Sequence, residues 1–139
     1  MNGFLLDTNI ALIALSEPDF LKPDIAIAIV RGPNYLSTVV YWEVMLKSMK
    51  GKLQVGDPRT WWQGALEQLA AVALPLRAEH IATLYRLPPI HQDPFDRVLI
   101  VQAMTKDLAL VTTDAEISKY ASEHFKSFGS YERPCNPGV

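Results

Sequence analysis

The sequence has 139 residues, of which 49% are hydrophobic and 20% charged, and its formal net charge is -2. A chain of this length is expected to form one domain that buries roughly 68–70% of its unfolded surface, and its residue balance excludes disorder or a fibre as the bulk description. The slightly negative charge gives no global basic field, so any contact with nucleic acid must be local.

Strands and helices alternate along the first half of the chain. Apolar runs bounded by turn residues predict buried strands, and longer runs that end at Glu17-Pro18, Gly32-Pro33 and Gly51 predict helices. The predicted elements are, in order, a strand at 4–7, a helix from 8 through 15, a helix at 21–30, a strand at 35–40 and a helix at 41–50.

The second half continues this alternation. Asp57-Pro58 and Asp93-Pro94 each read as an N-cap followed by proline at the first helical position. The predicted elements are helices at 59–69, 78–87, 95–106 and 114–122, strands at 72–76 and 108–112, a loop at 91–94, an edge strand at 125–128 and a loose tail at 131–139. Repeated strand-helix-strand units predict an α/β fold with a parallel sheet.

Membrane spans, secretion signals and zinc sites are not indicated. No apolar stretch reaches the roughly 18 residues of a membrane span, and no basic region with an apolar stretch and cleavage site opens the sequence. The single cysteine, Cys135, can form neither an internal disulfide nor a thiolate cluster. We therefore expect a soluble, cytoplasmic protein.

Four carboxylates, Asp7, Glu43, Asp96 and Asp114, follow predicted strands or lie on the first turns of the next helix. Taken singly, each has a simpler role as a helix cap or a partner of the helix dipole. Parallel strands deliver their last residues to one crevice, however, so together these acids form a charge cluster that folding alone would avoid. Hard oxygen ligands in this number favour Mg²⁺ or Mn²⁺, which suggests a metal site that cuts nucleic acid.

The motifs around these acids resemble those of PIN-domain ribonucleases, and within them the VapC-like toxins of prokaryotic toxin–antitoxin pairs. The matching segments are LLDTN at 5–9, STVVYWEV at 37–44, LPPIHQDPFDR at 87–97 and LVTTD at 110–114. The resemblance covers roughly residues 3 to 122. We accordingly divide the chain into a PIN-like nuclease domain at 1–125 and a C-terminal edge strand or tail at 126–139.

The resemblance carries implications for fold, chemistry and partners. It implies a three-layer αβα sandwich with a five-stranded central parallel β-sheet and an endoribonuclease that depends on Mg²⁺ or Mn²⁺. It also implies a homodimer and a cognate antitoxin that blocks the site. The catalytic and metal-binding residues that it implies are Asp7, Glu43, Asp96 and Asp114.

Several other side chains are candidates for the same site. Thr8, Asn9, Thr112 and Thr113 can hold hydrogen bonds behind the ligands, although capping is an equal alternative. Lys47 and Lys50 share a helix face with Glu43 and are candidate RNA contacts, unless Lys47 only pairs with Glu43. His91 is more simply a surface or structural residue than a general base. Trp42, Trp61 and Trp62 could stack on bases, but tryptophans are more often core or interface residues, and we expect the pair Trp61-Trp62 at a dimer or partner surface.

Other functions fit less well or stay open. A phosphorylated aspartate of the haloacid-dehalogenase kind needs a second aspartate two residues on, where this chain has Asn9, and a receiver-like site lacks its acidic pair and late lysine. An RNA-processing PIN nuclease without antitoxin remains an alternative, as does a catalytically silent PIN-like module that binds protein. Metal-dependent cleavage separates the silent module from the nucleases, and a neighbouring antitoxin gene separates the toxin from the processing enzyme.

Overall fold

Five parallel strands form a central sheet. The structure is a computed structural model that describes residues 2–89, 93–114 and 117, together with the backbone of 126–128. The strand order is β3-β2-β1-β4-β5, and every neighbouring pair runs parallel. The predicted α/β class is therefore confirmed, and the predicted edge strand is present. The strands are β1 (Phe4–Leu6), β2 (Asn34–Ser37), β3 (Ala71–Leu74), β4 (Ala109–Val111) and β5 (Lys126–Phe128).

Six α-helices connect and cover the strands in the part of the chain that the structure describes. Two short 3₁₀ turns, at Pro18–Phe20 and Leu84–Arg86, follow α1 and α5. None of the helices within the described ranges is long and apolar enough to cross a membrane. The helices are α1 (Thr8–Ser16), α2 (Pro23–Arg31), α3 (Thr38–Met49), α4 (Pro58–Gln68), α5 (Ala78–Thr83) and α6 (Pro94–Lys106).

The sheet is buried on both faces by separate apolar clusters. Successive residues of a strand point to opposite faces, so Leu5 of β1 packs in one cluster and Leu6 in the other. In the same way Leu110 and Val111 of β4 divide between the clusters. Helices α1, α2 and α4 supply side chains to the cluster of Leu6, and α3 and α6 supply the cluster of Leu5. This arrangement is the three-layer sandwich expected from continuous apolar strands.

Local capping decides where the helices begin. The Asp57 side chain accepts the backbone N–H of Arg59 at 2.9 Å, and Asp93 accepts the N–H of Phe95 at the same distance. Proline follows both acids, which confirms the two predicted cap-and-proline starts.

Three predicted boundaries are wrong. The strand predicted to reach Val40 stops at Ser37, because the Ser37 hydroxyl accepts the N–H of Val39 at 3.0 Å and starts α3 there. The third strand ends at Leu74, two residues early. The helix predicted through Leu87 tightens into a 3₁₀ turn after Thr83.

Some predicted features lie outside the described residues. They are most of the loop at 91–94, nearly all of the helix at 114–122 and the tail at 131–139. The division of the chain at residue 125 stays a prediction.

Candidate active site

The candidate site lies where the strand order reverses direction. From β1 the chain builds outward through β2 and β3, and β4 then pairs on the other side of β1. The carboxyl ends of β1 and β4 therefore border the crevice where open α/β sheets bind ligands. Asp7 directly follows β1, and Asp114 lies three residues beyond β4.

Asp7 is fixed by the start of α1. Its Oδ1 accepts the backbone N–H of Ile10 at 2.8 Å, so it is the N-cap of that helix. Its own N–H donates to the carbonyl of Val111 at 3.1 Å, which ties the end of β1 to the end of β4. The residue is only 4% exposed. The cap role that the sequence left open is therefore real, but it leaves one carboxylate oxygen for other contacts.

Burial changes the ionisation of Asp7. Loss of solvation raises its pKa from 3.8 to about 6, and the negative charges of Glu43 and Asp114 add to the rise. Hydrogen bonds from the Thr112 side chain and the Ile10 N–H oppose it. Asp7, Glu43 and Asp114 thus lie close enough to feel one another's charge, and an ionised Asp7 is costly without a cation.

Glu43 projects from α3 and is held at both oxygens. The Thr8 hydroxyl donates to Oε1 at 2.7 Å, and the Lys47 ammonium lies 2.8 Å from Oε2. Glu43 is 7% exposed, whereas the side chain of Lys47 is about half exposed. The pairing of Lys47 with Glu43, one of the two predicted alternatives, is therefore present. The proposed contact of Lys47 with RNA stays a prediction.

Thr112 connects Asp7 with Asp114. Its Oγ1 accepts the backbone N–H of Asp114 at 3.0 Å, and its side chain also hydrogen-bonds to Asp7. Thr112 is fully buried and Asp114 is half-buried. The turn after β4 therefore positions a carboxylate and a hydroxyl beside Asp7.

Asp93 and Asp96 occupy the first turn of α6 in different roles. Asp93 is the N-cap and accepts the N–H groups of Phe95 and, at 3.4 Å, of Asp96. Asp96 is half-buried at the third helical position. The pKa of Lys47 is raised, first by its hydrogen bond to Glu43 and further by the charges of Asp93 and Asp96. Lys47 therefore pairs with the acid of α3 and is also affected by the charges of the acids of α6.

The donor chemistry of this site suits Mg²⁺ or Mn²⁺, because the side chains present are carboxylates and hydroxyls. A cation would also offset the burial of Asp7 and its repulsion from Glu43 and Asp114, which together raise its pKa. Within the described ranges, no three Asp, Glu, His or Cys side chains are close enough to ligate one ion. The site therefore has donors of the type and charge that suit such an ion, and which residues bind it stays a prediction.

The remaining predicted residues are less closely involved. Asn9 is exposed on the first turn of α1, Thr113 is half-buried, and Lys50 is exposed at the C-terminal end of α3. His91 lies outside the described residues.

The two tryptophans of α4 differ in burial, and one of them contradicts the sequence prediction. Trp62 belongs to the core, since it is 6% exposed and stacks on Tyr41 at 4.8 Å between ring centroids. Trp61 is half-buried and lines a groove of about 700 Å³ between α1 and α4. The prediction of a surface role is therefore wrong for Trp62.

The contact of Trp42 with Phe95 was not predicted. The two rings meet edge to face, 5.1 Å apart at 76°. Each ring directly precedes an acid of the predicted quartet, Glu43 or Asp96, but this adjacency does not specify that the two rings meet.

Comparison with known proteins finds one matching family profile and several similar structures. The profile of the PIN domain matches residues 4–123, and no curated protein sequence matches. VapBC2 from Rickettsia felis, bound to a DNA fragment from its promoter, is similar with a TM-score of 0.65 at 15% identity, covering 90% of this chain and 96% of that one. FitAcB from Neisseria gonorrhoeae has a TM-score of 0.56 at 22% identity with the same coverage. A toxin–antitoxin complex from Klebsiella pneumoniae has a TM-score of 0.55 at 21% identity, covering 87% and 93%.

Proposed function

Because the chain belongs to the PIN-domain family, we propose that it is a Mg²⁺- or Mn²⁺-dependent endoribonuclease and the toxin of a toxin–antitoxin pair. One observation carries the nuclease proposal: Asp7, buried at the reversal of strand order, has its pKa raised to about 6 beside Glu43 and Asp114. Burying Asp7 near two further acids disfavours its ionised form, and a cation bound beside it would offset this cost.

Asp7 and Asp96 are the proposed principal ligands, with Glu43 and Asp114 completing the set. A divalent ion held by them would supply charge stabilisation and would lower the pKa of water for hydrolysis of the phosphodiester bond. This chain's own contribution is to keep the carboxylates in place. Thr112 and the Ile10 N–H orient Asp7, and Thr8 orients Glu43.

Lys47 has a separate part in the proposed reaction. Its ammonium neutralises Glu43 at 2.8 Å and lies within the field of Asp93 and Asp96. A four-carboxylate site repels a polyanion, so an exposed cation among the acids lowers the barrier to the approach of a phosphate.

The partners proposed are RNA, a second copy of the chain and an antitoxin. The antitoxin is supported by the motif resemblance and by the similar structure from Klebsiella pneumoniae, which is a toxin–antitoxin complex. The homodimer and the choice of RNA over DNA are supported by the resemblance alone. Expression with and without the product of an adjoining small DNA-binding gene tests the toxin: growth should stop only when the partner is missing.

Cleavage of a labelled RNA with and without Mg²⁺ tests the nuclease. Wild-type protein should cut in Mg²⁺ and stop when the ion is chelated, whereas Asp7→Asn should be inactive. Asp19→Asn, a substitution of an exposed acid in the turn after α1, is the matched control and should cut like wild type. Equal rates for wild type and Asp7→Asn in Mg²⁺, with contaminating nuclease excluded, would refute the assignment.

A further inference from the structure

We propose that Trp42 is a stacking platform for the nucleobase beside the scissile phosphate. The inference rests on the proposed nuclease function and adds a residue that selects the substrate. It starts from the ring pair of Trp42 and Phe95 at the junction of α3 and α6.

The position of the pair ties it to the acids. Trp42 directly precedes Glu43 on α3, and Phe95 directly precedes Asp96 on α6. The ring contact of 5.1 Å therefore joins the two helices at the level of their acids. A base attached to the sugar next to a phosphate bound at those acids lies within reach of such a ring.

The exposure of Trp42 indicates that its ring is available. Trp42 is 55% exposed, whereas Trp62 is 6% exposed and stacked on Tyr41. An edge-to-face contact occupies at most one face of the indole, so Phe95 leaves at least one face for a base. Phe95 also steadies the ring, which reduces the side-chain entropy that binding would have to remove.

A cation on the same helix as the ring can supply a contact for the phosphate backbone. Lys47 lies one helical turn beyond Glu43, and its side chain is 46% exposed. Proteins that bind single strands combine cations along the backbone with aromatic rings under the bases. In a duplex the bases are already stacked on one another, so a protruding indole can reach a base only in an unpaired segment.

Substitution of Trp42 combined with removal of single bases tests the proposal. Trp42→Leu fills similar space without a π face, and Trp42→Tyr keeps an aromatic ring. We expect kcat/KM on single-stranded RNA to fall about 5- to 30-fold for Trp42→Leu, in the lower range of base stacking, and to be largely retained by Trp42→Tyr. Phe20→Leu, which changes an exposed aromatic residue beyond the far end of α1, should match wild type.

Abasic substrates locate the contact. With wild type, omission of one base near the cut should slow cleavage several-fold, and with Trp42→Leu the same omission should have no effect. Binding of these RNAs to the Asp7→Asn variant should show the same pattern without cleavage. Equal losses for Trp42→Leu and Trp42→Tyr, or the same abasic penalty in wild type and Trp42→Leu, would overturn the proposal.

Sedimentation gives a further test. If Trp42→Leu changes the oligomeric state and still loses activity on the abasic substrates, the ring is a protein contact and the proposal is overturned. Failure of the inference is distinct from failure of the proposed function: in the first case wild type still cuts RNA in Mg²⁺, and in the second it does not.

Discussion

The carboxylate of Asp7 both caps a helix and belongs to the proposed metal site. Its Oδ1 caps α1 through Ile10, while burial, together with the charges of Glu43 and Asp114, raises its pKa to about 6. The cap favours the ionised form and burial disfavours it, and burial is the larger effect. Asp7 is therefore a position where local structure and the proposed chemistry share one side chain.

Asp7→Asn should stabilise the protein in the absence of metal. Asn caps a helix as well as Asp, and the amide carries no charge to desolvate. A pKa raised from 3.8 to about 6 means that the folded state keeps its proton while the unfolded state loses it, so stability falls as pH rises across this interval. At pH 7.5 the variant should be more stable by about 1–3 kcal/mol, since each pKa unit corresponds to about 1.4 kcal/mol.

Thermal unfolding of both proteins between pH 4 and pH 8 measures this difference. The gap should widen up to about pH 6 and then stay constant, in line with the pKa of Asp7. Mg²⁺ should raise the melting temperature of wild type and have little effect on Asp7→Asn. A constant gap across the whole pH range would contradict the raised pKa.

His80 should give a pH dependence of the opposite sign. The ring is fully buried, and its Nδ1 accepts the Arg77 N–H at 3.0 Å, which requires the neutral form. Burial lowers the pKa of His80 below 6.5, so the unfolded state binds a proton first and stability is lost as pH falls below about 6.5. His80→Gln should remove this loss in chemical unfolding at pH 5 and pH 7.5. An unchanged pH slope would mean that His80 is not the responsible group.

At the scale of the element, the start of α6 carries one acid that caps the helix and a second that is a proposed metal ligand. Asp93 accepts two backbone N–H groups, so Asp93→Ser should lower stability by at most about 1 kcal/mol and keep cleavage, because Ser caps nearly as well as Asp. Asp96→Ser should keep stability and lose cleavage. Thermal unfolding and Mg²⁺-dependent cleavage measure both. An inactive Asp93→Ser with an active Asp96→Ser would show that the ligand is the other aspartate.

Most elements could be predicted because their signals are local. Asp57-Pro58 and Asp93-Pro94 fix two helix starts within a few residues. The end of β2 was missed because Val39 and Val40 favour strands by propensity, while the Ser37 hydroxyl and burial in the core favour α3.

Some contacts in the candidate site could likewise be predicted from the sequence, and others could not. The proximity of Asp7 and Asp114 follows from the rule that parallel strands end at one edge, and the contact of Lys47 with Glu43 follows from helical spacing. The contact of Trp42 with Phe95 depends on how α3 and α6 cross, which no local pattern specifies.

At the scale of the whole molecule, a formal net charge of -2 means that RNA binding must depend on a few local cations. Replacing Lys47 and Lys50 by Ala in the inactive Asp7→Asn protein should weaken binding of single-stranded RNA. The slope of log affinity against log salt should flatten by up to about 1.4, since each phosphate contact contributes about 0.7. Lys106→Ala, at the far end of α6 from its acids, is the control. An unchanged slope would leave Lys47 with only its pairing to Glu43.

The adjacency of β1 and β4 bears on how the protein is made. β1 leaves the ribosome before β2 and β3, and its partner β4 follows all three in the chain. A nascent chain can pair β1 with β2 and β3 early, but Asp7 acquires its neighbour Asp114 only after β4 has been translated. If the chain is the nuclease proposed, its own messenger and ribosome are thereby spared a competent active site until β4 and Asp114 have been synthesised.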